Sequence, residues 1–115
     1  MQIKAVSVAG HPFPTFNGMY THDSTHDGWP VLKNANGRYC YRYSDGDQWL
    51  LTDEFNPSSS VCSACIAAQE GPLPVGARAW RIADGKGGWM DGGCMLTVTP
   101  LVRNPSYMLC TRIGD

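Results

Sequence analysis

The chain has 115 residues, 17% of them charged, and a formal net charge of −1. That length serves one hydrophobic core. The near-neutral balance lacks the positive field on which nucleic-acid binding depends, so neither DNA nor RNA is expected as a partner. No apolar run approaches the roughly 18 residues that cross a bilayer, and no basic amphipathic stretch suggests a membrane surface.

Glycine and proline, 13 and 8 residues, exceed the roughly 12% of an average chain and argue for short strands broken by turns. Ile3 to Val8 reads as a first strand. The prolines of His11-Pro12-Phe13-Pro14 lack the N–H that a ladder requires and end it. Asn17-Gly18 marks a turn before a short strand, Met19-Tyr20-Thr21. The doubled Thr-His-Asp of residues 21–27 then reads as a solvated hairpin tip, because Asp and His suit turns.

The clearest stretch is a three-stranded antiparallel meander over about 29–52. Trp29 to Lys33 is followed by a turn at Asn34-Ala35-Asn36-Gly37. Arg38 to Tyr43 alternates cleanly, with Tyr39, Tyr41 and Tyr43 on one face and Cys40 and Arg42 on the other. Ser44-Asp45-Gly46-Asp47 turns into Gln48 to Thr52. Beyond it, Val61 to Gln69 suits a short strand or one helical turn, and Gly71 to Gly76 is a proline-fixed connector. Ala79 to Ile82 and Cys94 to Thr99 read as further strands around a glycine-rich turn, Asp84 to Gly88. The predicted fold is all-β, a small antiparallel barrel or sandwich without a long helix. It forms a single domain over 1–102, with 103–115 a tail or an edge strand.

The order Asn17-Gly18-x-Tyr20, Gly28-Trp29-Pro30-Val31, Gly37-x-Tyr39-x-Tyr41, Trp49, Gly71-Pro72-Leu73-Pro74, Trp80 and Gly88-Trp89 is similar to a small tryptophan-rich β module of large multidomain eukaryotic proteins. The similarity spans about residues 6 to 99, and departs where Leu32 follows the valine in place of an aromatic. It implies the β fold and a binding or scaffolding role. It brings no cofactor and no catalytic residue.

Five cysteines, Cys40, Cys62, Cys65, Cys94 and Cys110, leave at least one thiol unpaired within the chain. A Cys62–Cys65 or Cys40–Cys94 bridge is open, but buried reduced cysteine is the simpler reading. The odd count and a start, MQIKAVSVAG, too short in apolar residues for a signal peptide together lean toward an intracellular location. His22 and His26 would share a helical face at zinc-ligand spacing. Extended, they share a face by parity but stand too far apart to chelate. Cys62 and Cys65 would complete a Cys₂His₂ set with reversed order and a long gap, a weak match to a zinc site. Either thiol could pair with His11, His22 or His26, yet no Lys or Arg lies near in sequence to activate it. No catalytic residue or cofactor is assigned.

The aromatics carry the functional alternatives. Facing inward, Tyr39, Tyr41 and Tyr43, with Trp49 beside them, are the core. Facing outward with Arg42, they suit a sugar or a peptide, as does Trp89 in its glycine loop. The expected function is a non-catalytic interaction module with a protein or glycan partner. Carbohydrate binding through exposed Trp or Tyr is the first alternative, and a zinc-stabilised or thiol-dependent domain the second.

Overall fold

The computed structural model describes residues 3–43, 47–68 and 73–102. They form eight strands: β1 (Ile3–Ala9), β2 (Gly18–His26), β3 (Trp29–Asn34), β4 (Tyr39–Tyr43), β5 (Gln48–Thr52), β6 (Ala64–Ala67), β7 (Gly76–Ile82) and β8 (Cys94–Val102). Each pairs antiparallel with the next, and β8 pairs with β1. The sheet is therefore a closed barrel in up-and-down order, which leaves no free edge strand. Among the described residues no helix is long and apolar enough to cross a membrane. The tail at 103–115, with Cys110, and most of the turn at 44–47 lie outside the described residues, as does the start of the proline connector.

The meander appears as predicted, and one neighbouring segment differs. The doubled Thr-His-Asp is the outer half of β2, and the tip is reduced to Asp27-Gly28, with φ of 52° and 80°. Both residues in the left-handed region make the tight two-residue turn that matches strand twist. Of the two readings for Val61 to Gln69, the short strand is the one formed, at Ala64 to Ala67. All four residues of β6 pair with β5, from Gln48 to Leu51, and Ala64 and Cys65 also pair with Ile82 and Arg81 on β7. Those pairings outweigh the weak helix preference of alanine. Gly10 ends β1 at φ 101°, where a Cβ would lie 2.6 Å from the Met95 carbonyl oxygen.

Side chains alternate across the barrel wall. Trp49, Trp80, Tyr20, Leu51, Ile82 and Leu96 point inward and are almost completely buried. An eight-stranded barrel is just wide enough for such side chains to fill. The interior is thus a packed core. Burial pushes the Cys40 thiol, which also faces inward, up to about 12.

The tyrosines occupy the other side of the wall. Cys40 faces inward with Leu32 and Leu51, so Tyr39, Tyr41 and Tyr43 face outward, and Trp49, opposite Arg42 in the ladder, is not their neighbour on that face. The outward face is nonetheless covered. The loop after β5 folds back over it, with Phe55 edge-on to Tyr41 at 4.8 Å and Tyr41 Oη donating to the Asn56 carbonyl at 3.1 Å. Val31, Leu50 and Cys65 complete this second cluster. Phe55 is half-buried, so Phe55→Ala is expected to cost about 2 kcal/mol, below the range for a fully buried ring. Urea denaturation measures this loss, and proteolysis within residues 53–62 should rise with it.

Candidate functional site

The two barrel ends are closed by different means. At the end of the short turns, Trp29 stands edge-on to Trp49 at 6.1 Å and carries the Arg42 guanidinium on its face at 4.0 Å. Arg42 also pairs with Asp47 at 3.1 Å. The opposite end bears the long loops after β1, β5 and β7. There Asn34 is buried, its Nδ2 donating to the Thr15 carbonyl at 2.9 Å and its Oδ1 accepting from the amides of Asn36 and Arg38. Asn17 binds His11 reciprocally, accepting from its amide and donating to its carbonyl. Small polar side chains here replace the ladder partners that the prolines cannot supply.

His11 is only 3% exposed and stacks on Phe16 at 4.7 Å. Burial lowers its pKa to about 4. Its Nδ1 accepts from the Phe13 amide at 2.9 Å, which leaves the ring proton on Nε2. Nε2 lies 2.9 Å from Ser63 Oγ and donates to it. A base for Ser63 would need that nitrogen free, so this pair is arranged to hold the loops together and not to make a nucleophile.

Ser63 sits between Cys62 and Cys65. Its amide donates to the Leu51 carbonyl at 2.7 Å, and its own carbonyl accepts from Ala83 at 2.8 Å. Both thiols are free, and Cys62 packs against the cluster that holds Cys65. Hydrogen bonding from Cys62 lowers Cys65 to about 7, against burial and with help from the positive charge of Arg81, while Cys62 is pushed up. Arg81 is the ladder partner of Cys65 on β7, and its guanidinium lies over the Trp89 ring at 4.3 Å. Cys65 is 3% exposed and floors a groove of about 570 Å³ on the outer wall, between Gln48 and Arg81. Cys62 is half-buried and opens at the loop end, into a cleft of about 250 Å³. Phe13, Phe16, Val61 and Ala83 supply that cleft's apolar lining, and Asp53 its charge. Val61 is 81% exposed and Phe13 43%.

No family model, curated protein or solved structure matches this chain. What the site can do is set by its own atoms.

The residues singled out in the sequence fall in several places. A β-bulge between His22 and Ser24 breaks the parity that would have put the two histidines on one face. His22 contacts Thr25 Oγ1 at 3.3 Å, and His26 pairs with Asp27 at 3.4 Å and meets Phe55 edge-on. Neither joins Cys62 and Cys65, and no metal-ligating cluster occurs among the described residues. Tyr41 is fully covered, Tyr39 and Tyr43 are half-buried beside it, and Arg42 is engaged by Trp29 and Asp47. Trp89 is 41% exposed, with one ring face on Arg81. Two candidate elements went unseen in the sequence. The cleft is assembled from three separate loops, and Arg81 reaches the thiols only through the β6–β7 ladder; a basic residue at an outward position of the next strand was the available signal.

Proposed function

We propose that this barrel is a non-catalytic interaction module that docks a short segment of a partner protein at its long-loop end. The observation that carries this reading is the cleft between Phe13, Val61 and Ala83, with Val61 left 81% exposed at its rim. At about 250 Å³ it is smaller than the roughly 300–1,000 Å³ usual for small-molecule sites and suits one apolar side chain. An anchor residue in a rigid pocket is how interfaces concentrate affinity. Asp53 in the lining favours a Lys or Arg next to the anchor. The filled interior and the pinned loop bases support the rigidity that such docking needs. The likeness to tryptophan-rich modules points the same way.

Panning a random linear peptide library on the folded protein is the test. Enriched peptides should carry an apolar residue beside a basic one, and Val61→Asp, a change at an exposed position, should weaken their binding at least about tenfold. No enrichment, or binding indifferent to Val61→Asp, overturns the reading. So does a glycan-array signal that Trp89→Ala abolishes, since the free face of that ring is the surface a sugar would use.

A further inference from the structure

Cys62 and Cys65 are held as a pair. Ser63, one of the two residues between them, is fixed through its amide, its carbonyl and its hydroxyl, to Leu51, Ala83 and His11. Cys65 is locked in β6 between Leu50 and Arg81, whereas Cys62 belongs to the preceding loop and is only half-buried. Both thiols are free and Cys62 packs against the cluster that contains Cys65, so bringing them together adds little to the cost of joining them. Arg81 lies where it favours a thiolate. Cys62 lines the cleft at the loop end, whereas Cys65 is 3% exposed at the base of the outer-wall groove, so Cys62 is the more reachable sulfur and Cys65 is placed to resolve.

We infer that Cys62 and Cys65 form a redox-responsive dithiol, converted to an intramolecular disulfide by exchange with a small-molecule disulfide such as glutathione disulfide. The ionised pair carries one proton between its two sulfurs. The Cys65 thiolate takes the proton of Cys62, whose sulfur attacks one sulfur of the incoming disulfide, forms a mixed disulfide and expels one thiolate. That thiolate takes the proton from Cys65. Cys65 then attacks the Cys62 sulfur, closes the Cys62–Cys65 bond and expels the second thiolate, which is protonated by water. The protein's two sulfurs lose two electrons, and the external disulfide is reduced to two thiols. Peptide docking plays no part in these steps.

The test is to incubate the reduced full chain with excess glutathione disulfide, block remaining thiols with an alkylating reagent and map tryptic peptides. Peptide 43–78 contains Cys62 and Cys65 and no other cysteine. It should lose two hydrogens and resist alkylation, while Cys65→Ser should stop at a mixed disulfide on Cys62. Arg81→Gln should slow disulfide formation about threefold near neutral pH. A one-unit rise in thiol pKa lowers the thiolate fraction about tenfold, and greater nucleophilicity returns part of it. If peptide 43–78 of the wild-type chain remains fully alkylatable, or carries only glutathione, the inference fails whatever the variants do. An unchanged rate in a folded Arg81→Gln variant removes Arg81 from it.

Discussion

Trp49→Ala is expected to lower the stability of the barrel by about 3–5 kcal/mol, the range for truncating a large ring in a core. Trp49 points inward from β5 and is almost fully buried. Its ring supports Trp29 edge-on, and Trp29 in turn supports the Arg42 guanidinium. Truncation would leave a void under two side chains that close the short-turn end. The wall cannot fall in to fill it, because β4 and β6 are hydrogen-bonded to β5 on either side and the sheet is a closed ring. The cavity contribution therefore survives relaxation and adds to the lost transfer energy. Urea titration followed by far-ultraviolet circular dichroism measures the loss. A midpoint that moves by less than about 1 kcal/mol in stability, with an unchanged slope, would place the indole outside the core.

The meander was legible because its signals are local. Alternation from Tyr39 to Tyr43 sets a strand, and Gly37, at φ 77°, supplies the turn that reverses it. Parity, however, says which residues share a face and not which face is inside. Three tyrosines invited an inward reading. The structure instead turns the small Cys40 inward, opposite Leu51 and beside a barrel already filled by Trp49, and packs Phe55 from a later loop against Tyr39 and Tyr41. That cover is invisible locally, since it depends on a tertiary contact between Tyr41 and Asn56. The same limit explains β6: four residues of neutral propensity become a strand only because β5 and β7 flank them. It also explains the histidines, whose shared face was lost to one extra residue in β2. Length, charge and turn residues thus led to an all-β domain. The cleft and the dithiol needed three loops and a cross-strand arginine to be brought together in space.

Both ends of the barrel are plugged, one by rings and a guanidinium, the other by His11, Asn17 and Asn34. The interior is thereby filled, and the clefts lie at the loops and on the outer wall. There the polar plug has a second consequence. It makes the loop end sensitive to acid, because one of its members is a buried imidazole.

Folding stability is expected to fall by about 3 kcal/mol through His11 alone as pH drops from above 6.5 to about 4. In the unfolded chain an imidazole titrates near 6.5. In the barrel burial holds it at about 4. Between those values the unfolded chain binds a proton that the folded one refuses, so acid favours unfolding by about 1.4 kcal/mol per pH unit. The contribution is fully present above the unfolded pKa and gone once the folded pKa is reached. Protonation would also place a proton on Nδ1, against the Phe13 amide that points at it. The check is a set of urea denaturation curves from pH 7.5 to 4 for the wild type and His11→Gln, which keeps an acceptor and a donor but cannot titrate. Carboxylates titrate in both proteins, so the difference isolates His11. The wild type's advantage over the variant should shrink by about 3 kcal/mol across that interval. A difference that stays constant with pH would mean that His11 does not remain neutral in the folded barrel, and that the loop end is held together by other contacts.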